Sequence, residues 1–258
     1  MSSPIWTQDA LRSELRAYAG QAWRIVEAQH RISTLKLVDG LAEQELLETI
    51  LEESKPPLPA ECRGLDYLLA TPFRYRPYPH GSRFRRAGVT PGVWYGAERA
   101  ETALAEMAFY RLLFYAESPQ TPFPDDAADY TAFAAGLDSD RAVDLTLGNL
   151  ARDAVLWTHL TDYEPCQSLA EAARGIGVEV IRYASVRDPG AGANLAVLSC
   201  RVFRPAAPVE RQSWRIRIGA AGVQALRDDP RDGIEFGRGA FAADPRLAGM
   251  VWERPRAR

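Results

Sequence analysis

Segments with strand and helix periodicity follow one another irregularly along this 258-residue chain, and their order constrains the fold more than any other feature. Residues 8–19 read as a polar-faced helix, followed by a short apolar strand containing Trp23, Ile25 and Val26. Residues 41–53 have the period of an amphipathic helix, with Leu46, Leu47, Ile50 and Leu51 on one side. Asp39 is placed to cap it, and Pro56, Pro57 and Pro59 stop it. A strand at 93–95 and a helix at about 101–116 come next, then a proline-containing loop at 117–130. A helix at 166–174, closed by Gly175, precedes strands at about 178–184 and 194–203, which flank the turn Asp188-Pro189-Gly190. The alternating stretch 212–218 reads as a strand, and 219–228 as a helix. Helices and strands mixed without βα alternation predict an α+β fold rather than a doubly wound sheet. The expected division is an N-terminal helical extension (1–19), a main domain (20–250) with a helical insertion at about 27–70, and a tail (251–258).

Hydrophobic residues make up 47% of the chain, enough to bury one large core. Neither GxGxxG after a strand nor GxxxxGK[ST] occurs, so the two common glycine-loop solutions to nucleotide binding are absent. The N-terminus lacks an apolar targeting core, and no stretch is long and apolar enough to span a bilayer. Cys62, Cys166 and Cys200 are far apart and odd in number, which suits reduced thiols in a cytoplasmic protein. His30, His80 and His159 are scattered without metal-ligand spacing, so no metal site is expected.

A net charge of −3 argues against a chain that is basic overall and holds nucleic acid by charge alone. The basic residues are nonetheless distinctive, because only Lys36 and Lys55 among the 31 are lysines. From Tyr67 to Ala97 there is no Asp or Glu, while Arg74, Arg76, Arg83, Arg85 and Arg86 crowd together with Phe73, Tyr75, Tyr78, Phe84, Trp94 and Tyr95. Guanidiniums fork onto phosphate, and aromatic rings stack flat bases. Two ligands fit this pattern, a dinucleotide or single-stranded nucleic acid. The plainer alternative is a solvated turn whose arginines pair with acids elsewhere, for example those of the 43–53 helix.

The helix at 101–116 is apolar almost all round, yet Glu106 falls on the same face as Ala103, Met107, Tyr110 and Leu113. A carboxylate among apolar side chains must find a cation, take a proton or serve a purpose. One such purpose is to stabilise positive charge on an anomeric carbon, since glycosidic cleavage passes through an oxocarbenium-like state. The ordinary alternative is a buried Glu–Arg pair. Ser185 ends a strand and Asn194 opens the next, positions that orient ligands or simply cap turns. Ser185 is not in a GxSxG setting, which disfavours a hydrolase nucleophile.

In chain order the features are Trp23-Arg24-Ile25, Gly81-Ser82-Arg83-Phe84, Val93-Trp94-Tyr95-Gly96-Ala97, Glu101-Thr102-Ala103-Leu104-Ala105-Glu106 and Tyr183-Ala184-Ser185-Val186-Arg187, then Asn194. Together they resemble the RES domain family, over about residues 20–218. The resemblance implies a single domain with an ADP-ribosyltransferase-like mixed β core and surrounding helices. It implies a toxin that cleaves the nicotinamide–ribose bond of NAD by hydrolysis or phosphorolysis, with an Xre-type antitoxin as partner. An ADP-ribosyltransferase acting on a protein is the alternative within the family, and a non-enzymatic module binding single-stranded nucleic acid the alternative outside it. NAD is then substrate, with no prosthetic group. The implied catalytic residues are Glu106, Ser185 and Arg24. Arg24, Arg83, Tyr95 and Asn194 would bind NAD, the arginines at the pyrophosphate and Tyr95 stacking the nicotinamide. Because the chain has a long insertion after Arg24, Arg74 and Arg76 remain alternatives for the first phosphate-binding arginine.

Overall fold

The computed structural model describes residues 6–28, 37–75, 78–228 and 232–254. His30 and Arg76 lie outside them. The fold is α+β, and its centre is a small closed barrel. Strand β1 (Arg16–Glu27) pairs with β2 (Trp94–Ala97) on one side and with β3 (Ala128–Asp144) on the other. From β2 the sheet continues through β5 (Ala193–Val197) and β4 (Val180–Ala184) back to β3, which closes the ring. Strands β6 (Glu210–Gly219), β7 (Gly222–Arg227) and β8 (Gly233–Gly237) extend the sheet from β3 as an antiparallel meander.

Strand alternation explains the barrel's filling. Ala22, Trp94, Phe133, Ala135, Val180, Leu195 and Val197 come from five strands and form one buried cluster. Leu69 and Ala70 of α3 (Tyr67–Arg74) join it and close that side of the barrel. Outside the barrel, α4 (Ala100–Glu117) lies against β1, β3 and the meander through Leu104, Ala108, Phe109 and Leu112. A third cluster joins the short helices α1 (Gln8–Arg12) and α5 (Ala154–Trp157) and the longer α6 (Glu164–Gly175) to β4 and the end of β3.

β1 and β2 pair at one position only, Trp23 opposite Ala97. Beyond that pair the wall opens, leaving Arg24 and Ile25 on one lip and Tyr95 and Gly96 on the other.

Several sequence expectations change. The helix expected over 8–19 ends at Arg12, because β1 begins at Arg16 and is held along most of its length by β3. The helix expected over 219–228 is strand β7, since the two-residue turn at 220–221 makes Gly219 and Gly222 a hairpin pair. Gly222, at φ +124°, has no room for a Cβ, which would meet the Phe236 carbonyl oxygen at 2.1 Å. The strand expected over 194–203 stops at Val197 and gives way to a single turn at Cys200–Val202. The helix α2 (Leu41–Ser54) forms, but Gly40 rather than Asp39 occupies its cap position, and its apolar face has no core to meet among the described residues. Leu46, Ile50 and Leu51 are exposed. At the end of α6 the left-handed glycine is Gly177 rather than Gly175.

Candidate active site

The opening between β1 and β2 continues into a cavity of about 690 Å³, within the size range of small-molecule sites. Glu106, Arg24, Arg83, Tyr95 and Asn194 all line it. Ser185 stands behind the lining and reaches it through Glu106.

Glu106 is held from three sides. One carboxylate oxygen accepts the Ser185 hydroxyl at 2.7 Å and the Asn194 amide at 2.6 Å, and the other faces an Arg187 Nη at 3.4 Å. Its neighbours Ala103, Met107 and Tyr110 line the cavity as helical spacing requires, whereas Leu113 is buried in the core. Register delivers Asn194, which sits opposite Ala97 on β2 and Tyr183 on β4, so the three share a sheet face. Asn194 is 3% exposed, and its carboxamide oxygen has no partner among the described residues. A buried acceptor in a cavity wall is costly to leave unpaired and is open to a ligand donor.

Ser185 begins the tight turn 185–192. Its hydroxyl accepts the backbone N–H groups of Arg187 (3.3 Å) and Asp188 (3.1 Å) while donating to Glu106. Asp188 fastens this turn to the start of α4. It accepts the Thr102 hydroxyl at 2.7 Å, the Arg99 guanidinium at 3.1 Å and the backbone N–H groups of Gly190 and Gly192. Burial raises the Asp188 carboxyl, but these four donors outweigh it and hold it below the usual range. A Cβ at Gly192 would meet Thr102 Oγ1 at 2.1 Å, so the turn approaches the helix only because glycine is there.

Three cations of the cavity wall, Arg24, Arg83 and Arg85, lack a balancing acid among the described residues. Arg24 is half-buried on the lip, with its guanidinium 5.7 Å from the Trp94 ring centroid. Crowding by apolar neighbours pushes its pKa down to about 10. Arg83 is 5% exposed. One of its Nη atoms donates to the Trp157 carbonyl at 2.6 Å, the other has no partner among the described residues, and its guanidinium stands 4.7 Å from the Tyr163 ring centroid. Arg85 stacks on Tyr78 at 4.3 Å and keeps a buried Nε without a partner among the described residues. None of the three forms an ion pair among the described residues. Arg74 and Arg86 differ. Arg74 is bound to Glu52 and the Pro56 carbonyl, and Arg86 to Glu164 and Glu171. The solvated-turn reading therefore holds for these two, and Arg74 neither lines the cavity nor has a free fork.

Tyr95 has a second part besides its place in the lining. Its hydroxyl bonds the Ser82 hydroxyl at 2.9 Å and accepts the Phe84 N–H at 3.1 Å, fixing the segment that carries Arg83. Burial holds this phenol protonated by raising its pKa.

A family model described as the RES domain matches residues 58–219. The chain belongs to the RES domain family. Arg83, Tyr95, Glu106, Ser185 and Asn194 fall inside the matched region of this RES-domain protein. Arg24 falls before it, although the resemblance read from the sequence reached back to about residue 20. No curated protein matches the chain. Among solved structures it is similar to the M. tuberculosis MbcT–MbcA toxin–antitoxin complex, at 14% identity over 81% of this chain and 91% of that one, with a TM-score of 0.46.

Arg187 closes the motif Tyr183–Arg187 but was not among the site residues expected from the sequence. It is 6% exposed, lies 4.2 Å from the Phe109 ring centroid, and donates to the Tyr163 hydroxyl at 2.8 Å. The signal that could have found it is its spacing, two residues past the serine at the start of a tight turn.

Proposed function

We propose that this RES-domain protein binds NAD in the cavity between β1 and β2 and breaks its nicotinamide–ribose bond. The observation that carries the reading is one cavity with two unlike walls. Glu106 is a carboxylate held by three donors, and Arg24, Arg83 and Arg85 are guanidiniums without acid partners among the described residues. Unpaired guanidiniums call for an anion, and a diphosphate supplies two charged groups with forked acceptors. A carboxylate would repel that diphosphate, so its place is beside the part of the ligand that becomes cationic.

In NAD the nicotinamide nitrogen is positively charged. When its bond to C1′ of the ribose breaks, the electron pair stays on nicotinamide, which leaves neutral, and positive charge passes to the sugar. Glu106 stabilises that sugar cation more than the ground state, and so accelerates the step. Ser185 and Asn194 fix the direction of the carboxylate. Water or phosphate then bonds to C1′ from the other reactant side, and a proton is released when water is the acceptor. Arg24 and Arg83 hold the pyrophosphate, and Tyr95 faces the nicotinamide ring. Such a protein would deplete NAD and arrest growth as a toxin, and its partner would be an Xre-type antitoxin that covers the cavity.

Purified protein incubated with NAD, with and without phosphate, tests the reading when the products are resolved by mass. Free nicotinamide with ADP-ribose denotes hydrolysis, and a phosphorylated ADP-ribose denotes phosphorolysis. ADP-ribose found only on protein would move the activity to transfer. Intact NAD, together with binding of single-stranded nucleic acid that weakens steeply with salt, would overturn it.

A further inference from the structure

The region matched to the family ends at residue 219, yet the chain beyond it reaches the site. Arg246, in the short turn Pro245–Leu247, is paired with the buried Asp244 at 2.7 Å. Its guanidinium also donates to the Leu160 carbonyl and stands 5.1 Å from the Phe109 ring centroid. Tyr163 in turn accepts Arg187 Nη2 at 2.8 Å, whereas Arg187 approaches Glu106 only to 3.4 Å. Phe109 is one helical turn after Glu106 and touches both guanidiniums.

We infer that Tyr163 and Arg246 are positioning residues for the catalytic carboxylate, acting by anchoring Arg187 at a set distance from Glu106. The inference rests on the proposed NAD reaction. Its physical basis is a competition between two acceptors. A guanidinium free to move would form a close bidentate pair with the carboxylate and cancel the charge that the developing sugar cation needs. The Tyr163 hydroxyl takes the shorter hydrogen bond and draws Arg187 aside, so Arg187 meets Glu106 through one long contact at 3.4 Å instead of a close bidentate pair. Arg246 braces the segment that carries Tyr163 through the Leu160 carbonyl, and the salt bridge to Asp244 fixes Arg246.

The test uses the full-length protein and the variants Tyr163→Phe and Arg246→Lys. Tyr163→Phe keeps the ring beneath Arg83 and removes only the acceptor. Its kcat for NAD falls about tenfold while KM stays within about twofold, because the lost contact matters mainly in the transition state. Arg246→Lys, which keeps the charge and one donor, recovers most of the activity that Arg246→Ala loses, with melting temperature recorded for each. Nitrogen NMR of the Arg187 side chain supplies a readout independent of turnover, in which rotation about its guanidinium bonds changes in Tyr163→Phe. Unchanged kcat and unchanged Arg187 rotation in Tyr163→Phe would overturn the inference. So would a fall in activity explained wholly by a fall in melting temperature. Absence of NAD turnover by the wild type would instead defeat the functional reading, and the Arg187 signal would still report whether the anchor exists.

Discussion

Replacing Ser185 with alanine removes one oxygen atom that makes three contacts, and each contact has a separate consequence. The hydroxyl donates to Glu106 at 2.7 Å, a charge-assisted bond. Such bonds contribute roughly 1.5–3 kcal/mol. If that contribution is realised in the transition state, kcat for NAD falls about 10- to 150-fold. The same oxygen accepts the N–H groups of Arg187 at 3.3 Å and Asp188 at 3.1 Å. Both bonds are long, so about 1 kcal/mol for each places the stability loss near 2 kcal/mol. For a chain of this size that lowers the melting temperature by about 4–8 °C. The assay pairs NAD consumption under saturating substrate with a thermal melt of the same preparation. KM should change less than kcat, since Ser185 acts through a carboxylate whose work is done in the transition state. A Ser185→Ala protein that kept kcat within twofold and melted with the wild type would refute the reasoning, because neither role of the hydroxyl would then matter.

Arg24→Leu removes a half-buried cation that has no acid partner. It should raise the melting temperature by a few degrees, roughly 1 kcal/mol in stability, while weakening NAD binding at least about tenfold. Loss of both stability and binding would assign Arg24 a structural role. Asp188 and Asp244 have carboxyl pKa values depressed in the folded state. Their stabilising contribution is therefore complete above the unfolded aspartate pKa of about 3.9, and is lost as pH falls through the lower folded values. A melt series should be flat in this respect from neutral pH down to about 4 and fall below it, with Asp188→Asn reducing the slope. Gly192→Ala should cost activity heavily at little change in global secondary structure. A Cβ there would meet Thr102 Oγ1 at 2.1 Å and Asp188 Oδ2 at 2.6 Å and push the Ser185 turn from α4, which kinetics and circular dichroism together would detect.

Much of the site was legible because its chemistry conflicts with its surroundings. Glu106 on an apolar helix face and an acid-free run of arginines both break the usual pattern, and the fold resolves both in one cavity. Arg83, Tyr95 and Asn194, which the family resemblance implied, line the same cavity. The α+β class followed from the irregular order of elements. What the sequence hid is physically explicable. Strand β3, the longest strand and the one that joins the barrel to the meander, is buried on both faces over residues 132–137 and is rich in alanine and glycine. It therefore shows neither alternation nor strong β-propensity. Strand β7 read as a helix because alanine, leucine and glutamine suit helices, and only its pairing with β6 and β8 decides otherwise. Arg246 was illegible as a site residue because only long-range contacts select it, to the Leu160 carbonyl and the Phe109 ring from two separate parts of the chain.

Glu106→Gln isolates the central claim, because it keeps the shape and most hydrogen bonds of the side chain and removes only its negative charge. Single-turnover cleavage of NAD by this variant, with NAD affinity measured alongside by calorimetry, should slow at least ~100-fold at nearly unchanged affinity. Cleavage at the wild-type rate with NAD still bound would show that no carboxylate charge is needed at the ribose.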